Sequence, residues 1–421
     1  MNKDDFNSIG DDFTNSDANK ALSKLTDKAN ESAAKIRTGV AHKFNSFSKK
    51  IKKIKTIADL AKIDSITQIM IIIIIILFVI IFIWGYNKLT LNDKNCKKID
   101  NTYDRFPLIK SIDVNNDNFK PPYKLRDYYI KSAYNCCSSG NLKNDFVNLC
   151  ALRNCIKQGA RFLDFEIYSV NNLPVIAVSS KLDFNVKESY NSVPFSLAME
   201  TISNYAFSGS NCPNPDDPLI LHFRIMTSNT KIHDAIAKQL HDTLSDHLLS
   251  KKFSYENKGR NIGSFNISKL LKKIIIVVDK SNPIFVNSLL NEYVNITSNS
   301  AFIRTLRFHD IKYTHDREDI KFYNKQNMSI ILPNLSTSNK NYSYLFPMEH
   351  GCQIIALSFQ NFDENMKAYT EFFDENGYAF VLKPEKFRYI PHFIDKPPAA
   401  NKIDSYAPKV LDLGAAGTTN G

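Results

Sequence analysis

The chain has 421 residues, a formal net charge of +11 and a pI near 9.1. Much of the basic excess lies beside a single apolar run and not along the rest of the chain, so we exclude nucleic acid as a partner. Between Asn92 and Pro391 stand roughly 300 residues of mixed pattern, a length that fits one large domain.

Residues 1–63 are rich in Ser, Asn, Asp and Lys and contain few large apolar side chains. A segment of this composition cannot bury enough apolar surface to offset the entropy lost on ordering. We therefore predict a disordered, basic segment, with a weak amphipathic helix around Ala21 to Lys62 as the alternative. The distribution of charge described below predicts that this segment is cytoplasmic.

The apolar run follows at residues 64–87, with no charged residue from Ile66 to Tyr86. About 20 helical residues, each rising about 1.5 Å, cross a hydrocarbon core of about 30 Å. Trp84 and Tyr86 stand at one end, where a membrane interface favours amphipathic rings. We predict a single retained transmembrane helix.

Basic residues are distributed unevenly about this helix. The stretch from Lys35 to Lys55 contains no acid and has eight basic residues: Lys35, Arg37, Lys43, Lys49, Lys50, Lys52, Lys53 and Lys55. The lysines after it are mixed with Asp93 and Asp100. Because positively charged flanks are retained in the cytoplasm, we predict a cytoplasmic N-terminus and the large domain on the opposite side. The bias toward Asn, Ile and Lys is typical of A/T-rich genomes, such as those of large DNA viruses or protists, so a virion membrane or an internal membrane stays open.

All seven cysteines follow the predicted helix: Cys96, Cys136, Cys137, Cys150, Cys155, Cys212 and Cys352. This distribution suits an oxidising compartment, and the spacing is not that of a zinc finger. Buried thiols and one or two disulfides are both left open. Residues 88–109 are expected to form a stalk.

The large domain alternates between strand-like and helix-like stretches. Short β-branched or aromatic runs predict strands: RFLDFEIY, LPVIAV, PLILHFRIM, KIIIVV, SIILP, CQIIALSF and YAFVL. Helical patterns such as KIHDAIAKQLHDTLSDHLL stand between several of them. This alternation is typical of parallel βα units and predicts an α/β barrel.

The residues of these stretches carry a more specific signal. KSAYNCCSSG, LRNCIKQGARFLDFEIY, LPVIAV and PLILHF follow one another in the first half, and GCQIIALSFQ and YAFVLKPEKFR stand in the second. In order and spacing they resemble the X and Y halves of the phosphoinositide-specific phospholipase C catalytic barrel. The resemblance implies a TIM-type (β/α) barrel with an X-like half at 110–281, a connector at 282–300 and a Y-like half at 301–391. A flexible tail is predicted at 392–421.

The resemblance also implies two catalytic histidines, and neither stands at its place here. The first belongs to a Ser-x-His-Asn motif that reads Ser132, Ala133, Tyr134, Asn135, so Tyr134 replaces it. The second follows the strand LPVIAV, where Val178 stands. A phenol with an ordinary pKa of about 10 is a poor substitute for a group that titrates near neutrality, and valine transfers no proton.

A calcium site is the next feature that the resemblance implies. Asn135 is kept, and Asp164 and Glu166 stand where the family has Glu-x-Asp, with the two side-chain lengths exchanged. The further acid expected on PLILHFRIM is Arg224 here. We expect Arg224 to pair with Asp164 or Glu166 and to replace the charge of the metal. A displaced calcium site on Asn135, Asp164 and Glu166 stays an alternative.

Groups that hold phosphate in the family are also replaced. Lysines expected at the end of KIIIVV fall at Val277 and Asp279, and the Arg and Tyr expected before Pro333 fall at Ile330 and Leu332. We therefore assign no substrate-binding residue.

These replacements predict a noncatalytic relative that needs no cofactor. Such a protein would be a membrane-anchored module that binds a membrane lipid, such as an inositol phospholipid, or a protein partner, or that has a structural role. The alternative is a working phosphodiesterase that hydrolyses inositol phospholipids at a rearranged, calcium-dependent site, with His222 or another histidine in a new role.

Overall fold

The computed structural model describes residues 65–114, 123–391, 410–412 and 418–420. The disordered segment predicted at 1–63 lies outside these residues. The chain divides into two compact units, Met1–Asn87 and Lys88–Gly421.

The described part of the first unit is helix α1, Ser65–Leu89, which continues two residues into the second unit. Every isoleucine from Ile72 to Ile83 is exposed on it, as are Trp84 and Tyr86. Among the described residues, this one helix is long and apolar enough to cross a membrane. Its position agrees with the span predicted at 64–87.

Helix α2, Leu91–Thr102, lies within the segment predicted as a stalk; it is part of the second unit and packs there against helix α3, Leu149–Lys157. A disulfide joins Cys96 to Cys150 at the start of α3. Ile99 is buried, and the Asn154 amide donates to Asp100 over 2.7 Å. These contacts therefore hold α2 against α3 within the second unit.

Thirteen strands occur in the part of the chain that the structure describes. In chain order they are β1 Tyr128–Ala133, β2 Phe162–Val170, β3 Leu173–Ala177, β4 Val193–Pro194, β5 Leu219–Ile225, β6 Ile274–Asp279, β7 Ile296–Ser298, β8 Ile303–Arg307, β9 Met328–Leu332, β10 Ile354–Leu357, β11 Phe380–Leu382, β12 Val410–Asp412 and β13 Thr418–Asn420.

Eight of these strands form a parallel barrel in the order β7-β6-β5-β2-β1-β10-β9-β8. The ends of this order, β7 and β8, lie side by side without pairing, so the barrel is nearly closed. Antiparallel strands extend it: β3 pairs with β2 and β4, and β11 pairs with β1. The predicted TIM-type barrel is confirmed.

Helices surround the barrel. After α3 they are α4 Phe195–Tyr205, α5 Thr230–Leu244, α6 Phe308–Lys312, α7 Arg317–Gln326, α8 Leu345–Met348 and α9 Glu364–Asn376. Short 3-10 turns lie at Leu125–Asp127, Lys251–Phe253, Ile262–Ser264, Ile267–Lys269, Pro283–Asn287, Leu289–Glu292 and Glu385–Phe387, and Ser254–Gly259 forms a left-handed turn.

Helix α9 shows how local sequence sets its own ends. Asp363 accepts a hydrogen bond from the Met366 N–H over 3.0 Å, which satisfies a free donor of the first turn. Gly377 follows the last helical residue with φ of 70°, a left-handed conformation that glycine adopts at little cost.

The barrel strands are buried on both faces, because one face lines the interior and the other meets the helices. β5 (LILHFRI) is buried at every position, and β6 (IIIVVD) is buried except at its last residue. Continuous β-branched runs are typical of such strands. This explains why the composition of these runs was enough to predict the barrel strands.

The boundary between the X-like and Y-like halves differs from the one predicted from the sequence. Strand β7 lies inside the segment predicted as a connector, 282–300, and pairs with β6 of the X-like half. Within the predicted tail, 392–421, the described residues form a small antiparallel hairpin of β12 and β13. The remainder of that predicted tail lies outside the described residues.

Candidate functional site at the barrel mouth

The predicted site residues meet at the carboxyl-terminal ends of the barrel strands. Tyr134 and Asn135 directly follow β1, Asp164 and Glu166 lie on β2, and Arg224 lies on β5. β2 and β5 pair in parallel, with Glu166 opposite Arg224. Side chains at paired positions of parallel strands project from the same face, so the three charged groups converge.

Arg224 lies at the centre of this group. Its Nε donates to Asp164 Oδ1 over 2.9 Å and its Nη2 donates to Asp164 Oδ2 over 2.6 Å. Its Nη1 donates to Glu166 Oε1 over 2.6 Å, and Nη2 also donates to the side-chain Oδ1 of Asn135 over 2.9 Å. The sequence predicts a pairing of Arg224 with Asp164 or Glu166; the structure shows contacts with both, with a bidentate fork on Asp164.

Other groups occupy the remaining oxygens of the two carboxylates. Tyr168 Oη and the Ser179 N–H each donate to Glu166 Oε2 over 2.9 Å. Asn135 donates its backbone N–H to Asp164 Oδ2 over 3.1 Å and its side-chain amide to Glu166 Oε1 over 3.2 Å. Each carboxylate oxygen therefore has at least one donor.

Asn135 makes these contacts from an unusual backbone conformation. Its φ is 45°, in the left-handed region, which asparagine tolerates better than most residues. The conformation lets one residue serve both carboxylates and Arg224. The free-energy cost of this backbone conformation is offset by the hydrogen bonds that Asn135 makes in the network.

The network is enclosed. Asp164 is 0% exposed, Glu166 1%, Arg224 3%, and Tyr134 1%. The Tyr134 ring lies beside the guanidinium, with its centroid 5.1 Å from Arg224 Cζ. Charge on Arg224 is thus neutralised by two carboxylates and covered by an aromatic face.

Burial and pairing oppose each other in the pKa values of the network. Burial alone would raise the pKa of Asp164, but the charge of Arg224 and hydrogen bonds from His222 and Arg224 bring it below its ordinary value. Burial would lower the pKa of Arg224, yet Asp164 and then Glu166 raise it well above the usual value. Burial raises the pKa of Tyr134, against a smaller opposing effect of Arg224.

This arrangement does not fit a calcium ion. Asn135, Asp164 and Glu166 are oxygen donors of the right kind. However, nitrogen atoms of Arg224 lie among their oxygens at 2.6 to 2.9 Å. Among the residues that the structure describes, no group of three or more His, Cys, Asp or Glu side chains is arranged to hold a metal.

Sequence reasoning missed a second branch of the network. His222 Nδ1 lies 2.8 Å from Asp164 Oδ1, and His222 Nε2 lies 2.9 Å from Ser298 Oγ. This order of Ser, His and Asp resembles a hydrolytic triad. All three side chains are 0% exposed, and Asp164 is already paired with Arg224, so the branch supports the barrel interior. The available signal in the sequence was that His222 stands two residues before Arg224 on one predicted strand, and therefore on the same face.

The positions that correspond to substrate-binding groups are mostly apolar and enclosed. Val277 lies on β6 and Ile330 and Leu332 lie on β9, all at most 1% exposed. Asp279 ends β6 and accepts from the Asn299 amide over 2.8 Å. Val178, which stands at the second histidine position after β3, is also enclosed, with 1% of its surface exposed.

The nearly closed parallel barrel, with its charged network at the strand ends, places the protein among the α/β barrels. Residues 122–280 match the family model for the phosphatidylinositol-specific phospholipase C X domain, and residues 287–386 match the model for the Y domain. The two segments together make up more than half of the chain. The chain belongs to the phosphatidylinositol-specific phospholipase C family.

Solved structures contain the same barrel. PLC21 of S. officinalis has a TM-score of 0.52 and 20% identity, over 65% of this chain and 38% of that one. PLC21 of L. pealei has a TM-score of 0.51 and 19% identity, over 63% and 38%. This chain thus spans well under half the length of either, and the likeness shows the fold. No curated protein matches the sequence.

Proposed function

We propose that this protein is a membrane-anchored, catalytically inactive member of its family, whose barrel acts as a lipid- or protein-binding or structural module. The observation that carries the proposal is the position of Arg224, which fills the space between Asp164, Glu166 and Asn135. A fixed guanidinium there supplies the positive charge that a metal would otherwise supply. Unlike a metal, it has no open coordination position for a phosphate oxygen.

The residues at the two histidine positions support the same conclusion. Cleavage of an inositol phosphodiester requires a base for the attacking hydroxyl and an acid for the leaving oxygen. Burial moves the pKa of Tyr134 further from neutrality, and Val178 has no titratable group. Proton transfer near pH 7 therefore lacks both agents at these positions.

The burial of the site supports the proposal of inactivity as well. The polar atoms of Asp164, Glu166 and Arg224 bond one another, and these side chains are at most 3% exposed. A phosphorylated headgroup would have to break a buried ion pair to reach them, and a partly broken buried pair costs several kcal/mol.

The membrane assignment rests on α1 and its flanks. The acid-free basic stretch before α1 supports a cytoplasmic N-terminus, with the barrel on the other side of a cellular, internal or virion membrane. The Cys96–Cys150 disulfide supports an oxidising location for the barrel. The family acts on inositol phospholipids, so an inositol phospholipid headgroup, bound without turnover, is the first ligand to test; a protein partner is the second.

Hydrolysis is the direct test. The full chain, reconstituted in vesicles that contain phosphatidylinositol and its phosphorylated forms, is assayed for released inositol phosphate with and without calcium. We expect no product above that of a variant in which Asp164→Ala and Glu166→Ala remove both carboxylates. An active member of the family in the same vesicles verifies the assay. Calcium-dependent turnover by the unmodified chain above that of the double variant would overturn the proposal.

A further inference from the structure

Five Asn-x-Ser or Asn-x-Thr triplets stand in the unit that contains the barrel. This triplet is the acceptor of N-linked oligosaccharide in proteins that enter a secretory lumen. A chain rich in Asn and Ser contains such triplets by chance, so the fold has to show which of them could carry a glycan. They begin at Asn266, Asn295, Asn327, Asn334 and Asn341.

Two of these asparagines have their side chains inside the protein. Asn295 and Asn341 are each 4% exposed. The Asn295 amide donates to the Phe253 carbonyl over 3.2 Å, and the Asn341 amide donates to the Asn361 carbonyl over 2.8 Å. A glycan on either nitrogen would replace an amide hydrogen and would need space inside a close-packed fold, so the folded chain cannot carry one there.

Two more triplets are only partly accessible. Asn327 is half-buried and its amide oxygen accepts from the Asn261 amide over 3.1 Å. Ser329, which supplies the hydroxyl of this triplet, is 1% exposed. Asn266 is also half-buried, and its backbone forms a bridge with Lys124. The fold therefore covers part of both triplets.

Asn334 differs from the other four asparagines. Asn334, Leu335 and Ser336 are all exposed, and exposure continues over residues 334–338 of this loop. The amide oxygen of Asn334 accepts from the His309 N–H over 2.8 Å. Within the described part of the chain its Nδ2, the atom that would carry a sugar, makes no hydrogen bond. The side chain is thus held by its oxygen, and its nitrogen is available.

The loop begins at the mouth of the barrel. Asn334 stands two residues beyond Leu332, the last residue of β9, and the carboxyl-terminal ends of parallel barrel strands meet at the mouth. Arg307 donates to the Pro333 carbonyl over 2.9 Å, which fixes the start of the loop. A hydrated oligosaccharide on Asn334 would therefore project from the edge of the mouth and hinder the approach of a large ligand to it.

We propose that Asn334 is an N-glycosylation site. The proposal rests on the topology proposed above, because the oligosaccharide is transferred on the side of the membrane away from the cytoplasm. In the transfer, Nδ2 of Asn334 bonds to the anomeric carbon of a lipid-pyrophosphate-linked oligosaccharide. The bond from that carbon to the pyrophosphate oxygen breaks, Nδ2 loses one proton, and the lipid pyrophosphate leaves. A glycan at the mouth favours a protein-binding or structural role of the barrel over binding of a lipid headgroup there.

Electrophoretic mobility tests the proposal. The full chain is expressed in cultured animal cells, and a glycosidase that removes N-linked oligosaccharide should increase its mobility by one step. Asn334→Gln and Ser336→Ala should each migrate like the treated chain, because either change destroys the triplet. Ser336→Thr keeps the hydroxyl and should retain the glycan. Both positions are exposed, so these variants are expected to keep the fold.

A second variant separates this proposal from the topology. Lys312→Asn, made together with Asn334→Gln, creates a new triplet with Tyr313 and Thr314 at the end of α6, where Lys312 is exposed. We expect this variant to be glycosylated.

A glycan on this variant with none on the unmodified chain would overturn the assignment of Asn334 and leave the topology standing. No glycan on either chain would overturn the topology, and the Asn334 proposal with it. A glycan that persists in Asn334→Gln alone would assign the modification to another triplet, against the proposal.

Discussion

Arg224 donates to two buried carboxylates and an amide from one side chain, over distances of 2.6 to 2.9 Å. The sequence placed an arginine where the family pattern has an acid, and register between β2 and β5 placed it beside Glu166. A buried ion pair of this kind contributes little net stability compared with apolar residues. The pair matters for stability because removal of one partner leaves the other charge buried without a counter-charge.

The change Arg224→Ala should therefore be strongly destabilising. It leaves Asp164 and Glu166 buried without a counter-charge, and removal of one partner from such a pair costs about 3–5 kcal/mol. Urea unfolding of the full chain in detergent, followed by near-UV circular dichroism, measures the free energy. Arg105→Ala is the matched control, because Arg105 pairs with Asp104 at the surface with 90% of its side chain exposed. A loss no larger than that of the control would contradict the role given to Arg224.

Lys383 predicts a pH dependence. It is 1% exposed, donates to the carbonyls of Asn324 and Gly351, and burial lowers its pKa to about 7. The ordinary value is about 10.4, so between pH 7 and 10 the unfolded chain binds more protons at this position than the folded chain. The contribution of Lys383 to stability should therefore rise with pH across that window. Buried thiols oppose it above their ordinary pKa of about 8.5, because burial raises the pKa values of Cys136, Cys137, Cys212 and Cys352. The effect of Lys383 is therefore measured as a difference between a variant and the unmodified chain.

From pH 7 to 10, the urea midpoint of Lys383→Met should fall relative to that of the unmodified chain, because the favourable contribution of Lys383 is missing. Lys131, whose pKa burial lowers to about 8, contributes in the same direction and remains in the variant. Lys386→Met, an exposed neighbour, should follow the pH dependence of the unmodified chain. The same slope in Lys383→Met as in the unmodified chain would show that Lys383 is not the titrating group.

Among the elements, α2 is the one whose role depends on a covalent bond. Its sequence, LNDKNCKKIDNT, has one large buried apolar residue, Ile99. A helix of 12 residues with so little apolar surface is marginal alone in water. The disulfide and the contacts with α3 therefore hold it on the barrel unit.

Replacing both cysteines, Cys96→Ser with Cys150→Ser, should lower stability. The bond closes a loop with a sequence separation of 54, for which chain entropy predicts a loss of about 4 kcal/mol. Thermal unfolding of the full chain measures the effect. Reductant should lower the midpoint of the unmodified chain and leave the double variant unchanged. Equal sensitivity of both proteins to reductant would place the effect elsewhere.

At the scale of the whole molecule, a strongly apolar helix precedes a barrel whose strand ends are closed by charge pairs. The basic flank before α1 and the disulfide after it support the same proposed orientation by independent routes, one through insertion and one through redox chemistry. Both favour the proposal that the barrel lies away from the cytoplasm.

Protease protection in sealed microsomes checks this orientation. Protease added outside should remove the N-terminal segment and leave a protected fragment that contains the barrel, because the membrane shields it. Detergent should abolish the protection. Loss of the barrel with an intact N-terminus would reverse the assigned topology.

Sequence by itself determined the strands of the barrel and the apolar helix, each through a local pattern: continuous β-branched runs such as β6, and an uncharged run from Ile66 to Tyr86. Local patterns report on burial within a few residues, which is all that these two features need. Alternation along β2 also places Asp164 and Glu166 on one face, but Arg224 stands 60 residues from Asp164, and the family resemblance is what implied that they meet.

Only the tertiary structure decided the pairing of Cys96 with Cys150, the link from His222 to Ser298, and the position of β7 inside the predicted connector. Each depends on which distant segments meet, over separations of 54 residues for the disulfide and 76 for the histidine contact. No short-range pattern encodes such a meeting, because closure of the barrel brings these segments together.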